Sequence, residues 1–167
     1  MEKVKIRIGV IGTDGEIPEN AQKIAENIGF EIARNNCILV CGGKTGVMES
    51  ACKGAKKANG ITVGILPSLE KADGNQSVDI HITTGIGYAR NAFVVSSSDA
   101  VIAIGGRAGT MSEIGLALSY DKPVILVKGS GGISDLIKED LEKIGVTRGI
   151  YLKTPEDAVK FALKLIK

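Results

Sequence analysis

Short apolar runs alternate with segments whose apolar positions recur every three to four residues, from one end of the chain to the other. Lys5–Gly12 is a near-continuous β-rich run, as expected of a central strand covered on both faces. Pro18 suits a first helical turn, and Ala21, Ile24, Ala25, Ile28 and Ile32 then recur at helical spacing until Asn35-Asn36 stops them. Cys37–Cys41 predicts a second strand, Thr45–Ala58 a helix ended by Asn59-Gly60, and Ile61–Leu66 a third strand ended by Pro67. The polar stretch Ser68–Ser77 reads as a loop. Val78–Thr83 alternates apolar and polar residues, as a less buried strand does, with His81 on the face opposite Val78, Ile80 and Ile82.

The alternation continues with Gly87–Ser97 as helix, Asp99–Ile104 as strand, Thr110–Tyr120 as helix and Pro123–Val127 as strand. A helix over Ser134–Ile144, a short strand over Gly149–Leu152 and a terminal helix complete it. Thr154-Pro-Glu-Asp157 supplies that last helix with an N-cap, a proline at the first helical position and early acids. Parallel neighbours require crossover connections, so strands alternating with helices predict a mostly parallel central sheet with helices on both faces: a Rossmann-like three-layer α/β sandwich. Ligands of such sheets sit beyond the carboxyl ends of the strands, near the point where strand order reverses.

Composition sharpens this only modestly. The 167 residues are 44% hydrophobic and 24% charged, and no Pro/Gly/Ser-rich linker divides them, so one domain over residues 1–167 is expected. A net charge of +2 with interspersed signs offers no basic stripe, and no nucleic-acid partner is expected. Charges interrupt the N-terminal apolar residues, and no run approaches the roughly 18–20 apolar residues of a membrane span, so the expectation is a cytoplasmic protein with no membrane partner. Cys37 and Cys41 share one side of a strand, Cys52 lies in the next helix, and His81 is distant in sequence. That is no zinc set; the thiols read as reduced and buried, with no metal site.

Candidate chemistry lies in three glycine loops that all follow strands: Gly12-Thr-Asp-Gly15, Gly42-Gly-Lys-Thr-Gly46 and Gly105-Gly-Arg-Ala-Gly-Thr110. Glycine lets backbone approach a ligand, and each following helix could offer free N–H groups to an anion. Gly43-Lys44-Thr45 resembles the end of a Walker A loop, but that motif needs a glycine where Ile38 stands. Gly9-Val-Ile-Gly12-Thr-Asp-Gly15 is spaced G-x-x-G-x-x-G rather than G-x-G-x-x-G, and Val40-Cys41 supplies no acid for a ribose, which disfavours NAD. Gly85-Ile-Gly87 opens like that fingerprint, but Arg90 takes the place of its third glycine. Lys44 has no recognisable acidic partner for a pyridinium nitrogen, so pyridoxal phosphate is rejected.

In order and spacing, Gly42-Gly-Lys-Thr-Gly46-Val-Met-Glu-Ser-Ala, Gly87-Tyr-Ala-Arg90-Asn and Gly105–Glu113 resemble the Lonely Guy family and its relatives, the molybdenum cofactor carrier proteins. The resemblance spans roughly residues 5 to 165, and members have often been labelled lysine decarboxylases. It implies a Rossmann-like fold that binds nucleotide-like phosphorylated ligands, usually as a homodimer or homotetramer. The family's enzymes cleave the N-glycosidic bond of nucleoside 5′-monophosphates, releasing base and ribose 5-phosphate. Of their motif P-G-G-x-G-T-x-x-E, Gly106, Gly109, Thr110 and Glu113 match, Gly105 replaces proline and Arg107 replaces glycine. The partner motif E-R-K is here Ala89-Arg90-Asn91. Arg90 and Glu113 thus remain while their neighbours differ, a shape nearer the carrier branch.

The expected function is therefore binding of a nucleoside 5′-monophosphate or a molybdopterin-type cofactor, with no further cofactor required. The alternative is a phosphoribohydrolase with Arg90 and Glu113 as catalytic residues. Expected ligand or phosphate contacts are Gly12, Thr13, Gly42, Gly43, Lys44, Gly46, Arg90, Gly105, Gly106, Arg107, Gly109 and Thr110. Two readings stay open: Thr110-x-x-Glu113 is also a capping box, and Arg90 in an apolar helix could instead reach out of an oligomer interface. His81 receives no role.

Overall fold

A computed structural model describes residues 4–166; Met1–Lys3 and Lys167, part of the expected domain, lie outside the described residues. The strands are β1 (Arg7–Gly12), β2 (Ile38–Cys41), β3 (Ile61–Leu66), β4 (Ile80–Thr83), β5 (Ala100–Ile104), β6 (Val124–Val127) and β7 (Ile150–Lys153). The helices are α1 (Glu19–Arg34), α2 (Val47–Lys57), α3 (Asn91–Ser96), α4 (Ala108–Ser119), α5 (Gly132–Lys143) and α6 (Pro155–Leu165). The strands form one sheet in the order β4-β3-β2-β1-β5-β6-β7, every neighbouring pair parallel.

Period-two alternation sorts the buried strand residues onto two faces. Ile8, Val10, Leu39, Ile102, Ile104 and Ile125 pack with α1, α2 and α6, while Ile11, Val40, Val101, Ala103, Val124 and Leu126 pack with α3, α4 and α5. All twelve are at most 2% exposed. Each such side chain contributes about 1.5–3 kcal/mol on leaving water, which is why near-continuous apolar runs stay in the sheet centre. Where α1 crosses α2 the backbones nearly touch: a Cβ on Gly54 would stand 1.8 Å from Glu26 O.

The less buried strand expected over Val78–Thr83 is β4 at the sheet edge, which begins at Ile80 and leaves Ile80 and Ile82 50% and 45% exposed. One expectation needs correction. The helix expected over Gly87–Ser97 begins as a 3₁₀ turn (Gly87–Arg90) before α3. Strand order reverses between β1 and β5, whose register aligns Gly12 with Ile104, so the first and third glycine loops leave the sheet side by side.

Candidate functional site

Gly105 and Gly106 end β5 with φ of +61° and +96°, a left-handed pair that only glycine adopts readily. The turn is braced from behind. Gly105 N–H donates to Ser130 Oγ (2.9 Å), Gly105 O accepts from Ser134 Oγ (2.7 Å) and Ser134 N (3.1 Å), and Gly106 N–H donates to Thr13 Oγ1 (2.9 Å). Fixing the turn aims the start of α4. Arg107 occupies its N-cap position with extended backbone and no side-chain cap, and among the described residues no acceptor takes the N–H groups of Ala108, Gly109 or Thr110. A helix N-terminus with its first donors unspent carries partial positive charge.

This N-terminus opens into a cavity of about 210 Å³ lined by residues that include Gly12, Thr13, Asp14, Met48, Tyr88, Arg90, Asn91, Arg107, Gly109, Thr110 and Glu113. Thr13 Oγ1 accepts from Gly106, which leaves its own hydroxyl proton free to donate. Helix α4 starts two residues before the sequence expectation, which places Thr110 inside the first turn rather than at the cap. The capping-box reading of Thr110 and Glu113 therefore fails.

Arg90 and Glu113, 23 positions apart in the sequence, meet in this cavity with Nη1 3.8 Å from Oε1, each side chain only 8% exposed. Arg90 Nη1 donates to Asn91 Oδ1, and Arg90 Nε is buried with no partner. An unpaired buried donor costs on the order of 1–3 kcal/mol unless something accepts from it. Burial pushes the Glu113 carboxyl up to about 7, against the opposing pull of the Arg90 guanidinium. The site thus juxtaposes a cation with spare donors, an acid that titrates near neutrality and a helix N-terminus. It is suited to a ligand with an anionic group.

The second glycine loop behaves otherwise. Gly42, Gly43, Lys44 and Gly46 do not line this cavity, and several donors of the loop are spent on structure. Gly43 N–H donates to Cys41 Sγ (3.3 Å), Thr45 N and Oγ1 to Asp14 Oδ1 (3.1 and 2.7 Å), and Val47 N to Thr13 O (3.0 Å). Asn75 clamps the loop by donating to Lys44 O (2.8 Å) and Gly43 O (3.3 Å). Gly42 does have a site consequence: a Cβ there would stand 2.5 Å from Arg90 Nη2, so its bareness makes room for the guanidinium.

Sequence reasoning missed Asp14, Met48, Tyr88 and Asn91 as lining residues. Asp14 stood inside a quoted glycine loop, and Met48, Tyr88 and Asn91 inside the stretches that carry the family resemblance, but their residue types gave no separate signal of a role. The three cysteines are free and buried, with Cys41 Sγ 3.6 Å from Cys52 Sγ, and no group of three or more His, Cys, Asp or Glu residues among the described residues could hold a metal.

The SLOG cluster4 family profile matches residues 5–159. The structure of the molybdenum cofactor binding protein of Rippkaea orientalis superposes with a TM-score of 0.89 at 40% identity, covering 98% of this chain and 99% of that one. The molybdenum cofactor carrier protein of Chlamydomonas reinhardtii gives 0.83 at 34% identity, covering 97% and 98%. A cytokinin riboside 5′-monophosphate phosphoribohydrolase of Mycobacterium tuberculosis is 30% identical over 125 residues, 68% of this chain and 66% of that protein. The chain belongs to the SLOG cluster4 family, among the Lonely Guy and molybdenum cofactor carrier relatives that its loops resemble.

Proposed function

We propose that the chain, a single-domain cytoplasmic protein, binds a nucleotide-like phosphorylated ligand in the crevice between β1 and β5. The ligand is a nucleoside 5′-monophosphate or a molybdopterin-type cofactor carried as cargo. The observation that carries the reading is the buried Arg90, its Nε unpartnered, in the same cavity as the unspent N–H groups of α4. The phosphate sits on Gly109, Thr110 and Arg107, where a helix N-terminus favours an anion, and Arg90 supplies the buried counter-charge. Similarity to molybdenum cofactor binding and carrier proteins supports binding as the role. Thermal denaturation with and without AMP tests it: saturating ligand at a hundredfold its Kd adds about 2.7 kcal/mol. The Arg90→Ala variant loses that shift. An equal shift in the variant, or none in the wild type, contradicts the reading.

Glu113 favours a second reading. A carboxyl pushed to about 7 beside a guanidinium can exchange a proton at neutral pH, as N-glycosidic hydrolysis requires. On this reading Arg90 and Glu113 are catalytic and the products are base and ribose 5-phosphate. Ribose 5-phosphate released from AMP above the level of a Glu113→Gln control supports it; equal release by both sinks it.

We also propose a homodimer or homotetramer. Helices α3 and α4 carry Glu113 as their one charge, and it is buried, while their Phe93 and Met111 are 50% and 48% exposed and Tyr88, in the turn before α3, is 87% exposed. Light scattering of wild type and Phe93→Glu checks it: the variant is expected to dissociate, and a monomeric wild type overturns it.

A further inference from the structure

Arg90 reaches the crevice through an unusual choice of partner. Its guanidinium is buried, Nη2 lies against the bare Cα of Gly42, and Nη1 donates to the side-chain oxygen of the next residue, Asn91. Asn91 is itself buried and committed at its other end: Nδ2 donates to Ser112 Oγ (3.1 Å) and Gly109 O (3.5 Å), while Ser112 Oγ donates to Gly109 O (2.6 Å). One amide therefore ties the arginine to the first turn of α4.

The chemistry of that amide is selective. A guanidinium has five N–H donors and no acceptor, so its anchor must accept. A lysine, which the family motif has at this position, offers no acceptor and repels. A carboxylate accepts but cancels the charge. An amide oxygen accepts and leaves the cation uncompensated, and its NH₂ group reaches the α4 turn. Among the described residues Glu113 is the one carboxylate within 4 Å of Arg90.

We infer that Asn91 is the positioning residue that fixes the Arg90 guanidinium against α4 while keeping its positive charge available to an anionic ligand. The inference rests on the anion-binding reading of the crevice. It explains how this chain departs from the E-R-K pattern without losing the arginine's role. The ionisable groups facing the Arg90–Glu113 pair are Cys41 from β2 and, around the cavity, Asp14, Tyr88 and Arg107.

Two measurements on the full chain test it. Calorimetric titration with AMP, and with inorganic phosphate, compares wild type with Asn91→Asp at pH 8: the variant is expected to bind at least tenfold more weakly while its unliganded melting temperature does not fall. Carboxyl-carbon NMR of the unliganded proteins follows Glu113, whose midpoint is expected to rise in Asn91→Asp because the new carboxylate takes a share of Arg90. A purely structural role lowers the melting temperature and leaves that midpoint in place. If Asn91→Asp does not fold, Asn91→Leu keeps the volume without the acceptor and is expected to weaken binding at least fivefold. Wild-type binding with a variant within twofold overturns the inference and spares the anion site. No binding by the wild type overturns the anion site, and an unmoved Glu113 midpoint then overturns the inference as well.

Discussion

Arg90 Nη1 lies 3.8 Å from Glu113 Oε1 in a site where both side chains are 8% exposed. The distance is long for a hydrogen bond, and the acid holds its proton to about 7. The pair is therefore a poised arrangement rather than a closed salt bridge. On the proposed function, an anionic ligand supplies Arg90 with what Glu113 does not.

Stability is expected to depend on pH through Glu113. The folded state keeps the proton up to about 7, whereas the unfolded glutamate releases it near 4.5. The contribution is full below about 4.5, falls as pH rises, and levels off above about 7, a loss on the order of a few kcal/mol. Denaturant melts of wild type and Glu113→Gln at pH 4.5 and pH 8 check this. The variant is expected to lack the decline and to be the more stable protein at pH 8; parallel pH profiles refute it.

Gly42→Ala is expected to disable the site without unfolding the protein. Its Cβ would stand 2.5 Å from Arg90 Nη2 and 2.9 Å from Met48 Sδ, both on flexible side chains that can move aside. Displacing the guanidinium costs at least tenfold in AMP affinity, with a melting temperature close to wild type. Titration and a melt on the same sample distinguish this from a global defect.

Gly54→Ala is expected to do the reverse. The new Cβ would meet Glu26 O at 1.8 Å and its carbon at 2.7 Å, and backbone cannot step aside as a side chain can. Forcing α1 off α2 costs at least about 2 kcal/mol. The destabilisation is expected in urea melts, while AMP affinity of the folded fraction is unchanged because the crossing lies outside the cavity.

Most of the fold was legible in the sequence because parallel strands buried on both faces must be apolar almost throughout. Val101, Ile102, Ala103 and Ile104 announce β5 with no tertiary knowledge. The alternation of Val78–Thr83 likewise marked a less buried strand, and Ile80 and Ile82 at the sheet edge are 50% and 45% exposed. The site was legible by residue type but not by role. The second and third glycine loops look equivalent in sequence, yet what spends their donors comes from far along the chain: Thr13 takes Gly106 N–H across 93 positions and Asp14 takes Thr45 N–H across 31. Likewise a two-residue shift in the start of α4 decides between a cap and a crevice acid, and such a shift lies within the ambiguity of local signals.

The most direct measurement is a crystal structure of the protein with AMP. The phosphate is expected within hydrogen-bond reach of the Gly109 and Thr110 N–H groups, with Arg90 Nε no longer without a partner. A phosphate bound away from α4, or Arg90 and its orphaned nitrogen unchanged beside a bound nucleotide, would contradict the account.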